Sequence, residues 1–371
     1  MSKKIKLIFV LWVMLSVHTA NAAQPRLPEM NALSDQTSIS GLSSGAFMAA
    51  QFHVAYSQDL VGAGIVAGGP WNCASSFSWL SPLTNALTSC MDPCKYTWFI
   101  CPAFFFPNAD ELAELARNTV TAGDIDDVAN LVDDKVYIFS GRHDNTVVTR
   151  VVDSTTAFYR ALNLPEAQIF YNKSVDAGHA FITDDSSDAS CDVTQPPFIN
   201  NCKLPQAKNL LAHIYGELNE EVTAPEGDLL RFNQKEFIAS DNTGMDEDAF
   251  VYIPQSCKTE QCRVHVAVHG CLQGVSVIGT TYIEQTGYKE VADNNQLIIL
   301  YPQVKQSNVN PTNPNGCWDF WGYTSNNEPP FNYAHRDAPQ MQAIKKMIDR
   351  LTSAPATAQS QPVARQPAAS Q

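Results

Sequence analysis

LVGAGIVAGG (Leu60 to Gly69) is a continuous apolar run that ends in glycines, LIILYPQ, which begins at Leu297, reads as a second buried strand, and RVHVAVHG (Arg263 to Gly270) as a further strand. A strand with one wet face alternates apolar and polar residues, so runs of this kind need cover on both faces. That is the demand of a mostly parallel sheet between two helical layers. Shorter strands are read at TSIS, Val136–Phe139, QIFYN and Phe250–Pro254. Helical periodicity is read at Ala46–Tyr56, Asp110–Arg117, near Asp124–Val132, at Val151–Leu162, Tyr282–Asn294 and Ala338–Leu351. Both halves therefore share one α/β grammar, and one doubly covered sheet is expected.

The short strand TSIS runs into Gly41-Leu42-Ser43-Ser44-Gly45 and then a helix. This is G-x-S-x-G in its required setting, a strand-to-helix turn so tight that a Cβ at either flank would meet backbone. A hydroxyl is a poor nucleophile without a base, so His and Asp are sought at later strand ends. Asp144 follows the strand ending at Phe139, and His179 follows QIFYN. The expected roles are Ser43 as nucleophile, His179 as general base and acid, and Asp144 as the acid that orients the imidazole. The competitors are weaker. Asp176 shares a loop with His179, Asp133 and Asp134 precede their strand, and His143 and His335 read as surface residues.

An acyl-transfer site also needs backbone N–H groups for the developing oxyanion. One comes from the residue after the nucleophile, Ser44, and the other from a His-Gly loop after an earlier strand. VAVHGCLQG suits that loop but follows the Asp and His in the chain. Placing the C-terminal half in front of the N-terminal half restores strand, strand, HGC loop, helix, strand, helix, elbow, Asp, His. A circularly permuted α/β-hydrolase fold is the expectation, which close-lying surface termini make feasible.

At the N-terminus, Lys3, Lys4 and Lys6 precede an apolar run, Leu7 to Val17, and then HTANAA. This reads as an export signal over residues 1–22, cleaved near Ala22 or Ala23, and the run is too short to span a bilayer. Residues 23–352 are expected to form one catalytic domain. The stretch 353–371, rich in Ala, Gln, Ser and Pro, reads as a disordered tail. Losing residues 1–22 removes three lysines and no acid, which takes the formal charge from −14 to −17. Such a surface repels nucleic acid and suits a neutral substrate.

Ten cysteines in an exported chain read as disulfides, and none of the clusters has the CxxC and His spacing of a zinc finger. Cys191 with Cys202 and Cys257 with Cys262 read as local bridges; the other six leave 15 connectivities open. Trp98, Phe99, Phe104, Phe105 and Phe106, in the irregular stretch from Trp71 to Asn108, read either as a lid or apolar docking surface or as packing for a disulfide-rich excursion.

Taken together, GLSSGAFMAAQ, GGPWNC, FSGRHDNTV, AGHAF, VAVHGC and NGCWDFWGY resemble the secreted polyhydroxybutyrate depolymerases, a permuted group of short-chain polyester hydrolases in the α/β-hydrolase superfamily. The resemblance implies Ser43, Asp144 and His179 as the triad, and Ser44 and Cys271 as oxyanion donors. It also implies Trp318 or Trp321 as a wall of the substrate crevice, with burial beside a disulfide-bonded Cys317 as the alternative for this loop. It implies a neutral polyester or oligoester substrate, an acyl-enzyme route without cofactor or metal, a monomer, and no stable membrane insertion. Modular relatives add a linker and a polymer-binding domain. With a short tail instead, oligomers, amorphous granules or another ester are the expected substrates. The rival is the related feruloyl and acetylxylan esterase branch, which resembles this chain in its elbow and HGC loop.

Overall fold

A computed structural model describes residues 25–95, 101–325 and 328–355. The export signal (1–22), residues 356–371 of the tail, and Trp98 and Phe99 lie outside the described residues. In chain order the strands are β1 (Thr37–Leu42), β2 (Leu60–Val66), β3 (Lys135–Phe139), β4 (Ile169–Asn172), β5 (Phe181–Thr183), β6 (Ala189–Ser190), β7 (Ile199–Asn201), β8 (Asp228–Asn233), β9 (Asp248–Ile253), β10 (Arg263–Val268) and β11 (Leu297–Tyr301). Eight of them form the main sheet in the order β4-β3-β2-β1-β10-β11-β9-β8, while β5, β7 and β6 form a small parallel sheet. In the main sheet only β9 runs against its neighbours.

The apolar runs are buried on both faces for the expected reason. Val136 and Ile138 of β3 point into one core, and Tyr137 and Phe139 into the other. Ile298 and Leu300 of β11 divide in the same way from Ile299 and Tyr301. The helices are α1 (Ser44–Ala55), α2 (Pro82–Leu87), α3 (Ala109–Ala122), α4 (Thr149–Ala161), α5 (Gln206–Tyr215), α6 (Val275–Ile278), α7 (Thr281–Gln285), α8 (Tyr288–Asp293) and α9 (Pro339–Thr352). One layer holds α1, α3, α4 and α9, and the other α5, α7 and α8. All twelve residues of α1 are buried, consistent with a helix apolar on every side and rich in alanine. Among the described residues no helix is long and apolar enough to cross a membrane.

Three local expectations differ from the structure. The single helix over Tyr282–Asn294 is two helices, α7 and α8, broken at Gly287, whose φ of +81° is left-handed. The helix near Asp124–Val132 shrinks to a 3₁₀ turn, Val128–Asp133. There Asp126 is drawn into tertiary bonds: its N–H donates to Ala55 O at 3.0 Å, and its carboxylate accepts from Arg336 at 2.7 Å. The irregular stretch from Trp71 contains α2 and is stapled by Cys73–Cys90 and Cys94–Cys101. Cys191–Cys202, Cys257–Cys262 and Cys271–Cys317 complete the pairing of all ten cysteines.

The two ends of the described chain meet. Met30 N–H donates to Leu351 O at 3.1 Å and Asn31 N–H to Ser353 O at 2.9 Å, so the segment entering β1 is tied to the end of α9.

Beneath the central strands lies a buried polar clasp. On β10, His265 is flanked by two hydroxyls of β1, Ser38 Oγ at 2.6 Å from Nδ1 and Ser40 Oγ at 2.7 Å from Nε2. Tyr215 and Tyr288 bond those serines from the helical layer. Burial without a counter-charge pushes the imidazole down to about 3. The unfolded chain leaves it near 6.5, so between those values the unfolded state binds more protons and stability falls as pH drops. His265→Gln removes this titration, and its melting temperature is expected to depend less steeply on pH than the wild type's between pH 6.5 and 4. Parallel melting curves for the two proteins would contradict the assignment.

Candidate active site

Strands β1 and β10 are neighbours, yet the chain leaves β1 toward β2 on one side and β10 toward β11 on the other. A crevice opens at such a switch point beyond the carboxyl ends of parallel strands. Ser43 follows β1, and Gly270-Cys271 follows β10. Ser43 has φ 56° and ψ −121°, a conformation that costs a non-glycine residue on the order of 1–3 kcal/mol. It is held there by Ser43 N–H donating to Val66 O at 2.9 Å, and by Ser43 O accepting from Ala46 N–H and Phe47 N–H. The flanking glycines are required by space. A Cβ on Gly41 would lie 2.4 Å from the Gly45 carbonyl, and one on Gly45 would lie 2.3 Å from Val268 O.

Asp144 and His179 are joined, Oδ2 to Nδ1, at 2.8 Å, and both are buried. The other carboxylate oxygen accepts from Thr146 N–H at 2.8 Å and Val147 N–H at 2.9 Å, which fixes the acid's rotamer. The loops that carry the pair are zipped together: Arg142 N–H donates to Val175 O, and His143 N–H to Ala177 O. From the far side Thr194 Oγ1 accepts from His179 N–H at 2.9 Å. Asp176 sits on the surface 3.1 Å from Arg142. Asp134 is bonded to the buried His53 at 3.0 Å. His335 lies 3.8 Å from Asp124, and the exposed His143 3.9 Å from Asp176. None of these competitors lines the pocket that holds Ser43 and His179.

That pocket has a volume of about 390 Å³ and is lined mainly by apolar side chains, among them Phe47, Leu83, Leu87, Met91, Phe198 and Leu272. Phe47 and Phe320 stack at 4.3 Å along its wall. Ser43 and His179 both face it, with no hydrogen bond between them. Cys271 also lines it, and among the described residues neither Ser44 N–H nor Cys271 N–H donates to a protein acceptor. A Cβ on Gly270 would lie 3.4 Å from Ser43 Cβ, so the HGC loop is pressed against the elbow.

The aromatic loop divides its two tryptophans. Trp321 lines the pocket, whereas Trp318 is 0 % exposed, packs 5.6 Å from the His269 ring and does not line it. As a wall of the crevice Trp318 is therefore corrected to a core residue beside the disulfide-bonded Cys317. The loop is organised by Asp319, whose buried carboxylate accepts N–H bonds from Trp321, Gly322, Tyr323 and Thr324. Burial pushes this carboxyl up, opposed first by the Thr324 hydroxyl that donates to it and then by the N–H groups of Thr324, Gly322 and Trp321. Asp319, Thr194 and Gln273 escaped sequence reading because their roles are contacts to backbone, for which no motif exists. Phe104 and Phe105 are exposed and Phe106 is buried under Arg150, so the aromatic segment is partly surface and partly packing.

No family model matches the sequence. The chain is 40 % identical over 344 residues to a poly(3-hydroxybutyrate) depolymerase of Delftia acidovorans, a match that covers 91 % of this chain and 63 % of the relative. It is 36 % identical over 332 residues to a polyhydroxybutyrate depolymerase of Talaromyces funiculosus, covering 86 % and 91 %. The crystal structure of the PHB depolymerase from Penicillium funiculosum superposes with a TM-score of 0.76 at 34 % identity, over 88 % of this chain and 99 % of that one. A serine-to-alanine PHB depolymerase complexed with an R3HB trimer gives 0.75 at the same identity and coverage. These relatives do not favour the carbohydrate-esterase alternative.

The placement of the two tryptophans is checked by stability. Trp318→Ala is expected to cost about 3–5 kcal/mol in urea unfolding, the range for deleting a buried aromatic. Trp321→Ala, at the pocket wall, should cost well under half as much; equal losses would contradict the division.

Proposed function

Because the chain belongs to the polyhydroxybutyrate depolymerase family, we propose that it is a serine esterase that hydrolyses poly(3-hydroxybutyrate) or its oligomers through Ser43, His179 and Asp144. The observation that carries this reading is the buried Asp144–His179 pair, which opens onto the same apolar pocket as a serine held at positive φ. Ser43 Oγ attacks the ester carbonyl and its proton passes to His179 Nε2. Asp144 holds Nδ1 as donor and stabilises the imidazolium. The oxyanion is received by the N–H groups of Ser44 and Cys271. The C–O bond to the alcohol then breaks, His179 returns the proton to the leaving oxygen, and water cleaves the 3-hydroxybutyryl ester by the same steps in reverse. Ser43 and His179 need to come within bonding reach only with substrate in place. A relative that holds an R3HB trimer after a serine-to-alanine exchange is consistent with a serine that does the chemistry.

Circular permutation is part of this reading. When α9 is joined to β1 and strands are counted from β8, they cross the sheet in order except that the third and fourth exchange places. The contact between Met30 and Leu351 supplies the short junction such a rearrangement needs. Export follows from the N-terminal signal and accords with five disulfides in a single catalytic domain over 23–352.

Beside the pocket mouth the surface stays apolar. Leu83 and Leu87 of α2 are exposed at the rim, and Trp79, Phe104 and Phe105 gather next to α2. A neutral polyester can dock there without charge.

Ser43→Ala is expected to lower release of soluble 3-hydroxybutyrate from amorphous poly(3-hydroxybutyrate) by at least about a thousandfold, while Asp176→Ala stays near wild type. If wild type releases none yet cleaves a small p-nitrophenyl ester through Ser43, the substrate assignment fails and the nucleophile stands. Replacing Trp79 and Phe104 together by serine should weaken adsorption to a polymer film and leave turnover of a soluble trimer unchanged. Unaltered adsorption would remove this surface from the docking role.

A further inference from the structure

Gln273 is 1 % exposed and lies two residues beyond Cys271. Its Oε1 accepts from Gly270 N–H at 2.7 Å. Its Nε2 donates to Pro197 O at 2.8 Å and to Phe198 O at 3.3 Å. Both ends of the amide are thus spent on backbone, and on two different loops. One is the HGC loop that carries Cys271. The other enters β7, the strand paired with β5, which starts two residues after His179. Phe198 is itself held at φ 57°, its carbonyl also accepts from Phe181 N–H at 2.9 Å, and its ring stands edge-on to His179. Across that amide, chain segments about 75 residues apart in sequence are joined beside the pocket.

We propose that Gln273 is a positioning residue that sets the oxyanion donor and registers it against the general base. The inference rests on the Ser43 reading given above. By occupying Gly270 N–H, Gln273 commits that group to the loop and leaves Cys271 N–H free to face the pocket. The space is closely matched, since a Cβ on Gly270 would lie 2.9 Å from Oε1. With its amide nitrogen, Gln273 also clamps the Phe198 turn that backs His179. An oxyanion donor acts on a charge that exists only in the transition state, so a tilt of the HGC loop lowers kcat more than it raises KM.

The test uses the full mature chain with a soluble 3-hydroxybutyrate trimer, active sites being counted with a fluorophosphonate. Gln273→Met keeps the length and removes both hydrogen-bonding ends. Its kcat is expected to fall about a hundredfold with KM within threefold, the scale of losing an oxyanion contact. The inhibition constant of an alkyl boronic acid, which forms a tetrahedral adduct on serine, should rise in proportion. If Gln273→Met does not fold, Gln273→Glu takes its place: it still accepts from Gly270 N–H, cannot as a carboxylate donate to Pro197 and Phe198, and is expected to lose at least tenfold in kcat. A folded variant with kcat within threefold of wild type overturns the proposal, as does a fall in kcat with boronate affinity unchanged, which marks a purely structural role. Turnover surviving in Ser43→Ala would instead overturn the nucleophile reading on which the proposal rests.

Discussion

The close approach of β10 to the elbow is the constraint on which the rest of the site depends. Val268 O would lie 2.7 Å from a Cβ on Gly41 and 2.3 Å from one on Gly45, so both positions must lack a side chain for the strands to pair in register. That register sets Ser43 beside Gly270 and Cys271. It is reinforced from below by His265, which spans Ser38 and Ser40 with its two ring nitrogens. A one-residue slip would point those serines at the opposite face and break the clasp.

A second constraint brings the acid and the imidazole together by backbone. A Cβ on Gly141 would lie 2.2 Å from Ala177 O, and one on Gly178 2.3 Å from Val193 O. With the first clearance the turn after β3 lies against the loop after β4, Arg142 N–H donating to Val175 O and His143 N–H to Ala177 O; the second lets His179 sit close to the segment that enters β7. Asp144 and His179 then face each other at 2.8 Å, and neither side chain has to reach. The small sheet behind His179 is closed by Cys191–Cys202, so a bridge that is local in sequence stiffens the support of His179.

These constraints also explain how one site is assembled from two ends of the chain. Ser43, Asp144 and His179 come from the first half; the HGC loop and Trp321 come from the second, joined to each other through Cys271–Cys317. Because Met30 and Leu351 are hydrogen-bonded neighbours, the segment entering β1 lies beside the end of α9, although the two are far apart in sequence.

Much of this was legible in the sequence, for local reasons. Apolar runs dictated a sheet covered on both faces, glycine spacing marked the elbow, and strand-end positions for Asp144 and His179 follow from α/β topology. Less legible were features whose causes are nonlocal. The helix over Tyr282–Asn294 divides where Gly287 turns left-handed, and the turn near Asp126 is decided by Ala55 and Arg336. Edge strand β8 and the two- and three-residue strands of the small sheet are too short or too exposed for a periodic signal. Residue types by themselves determined that a serine, a histidine and an aspartate stand at strand ends of a doubly covered sheet. Only the tertiary structure decided which tryptophan faces the pocket, how six of the cysteines pair, and that Gln273 and Asp319 hold the loops, because each depends on backbone groups distant in sequence that folding alone brings within hydrogen-bonding distance.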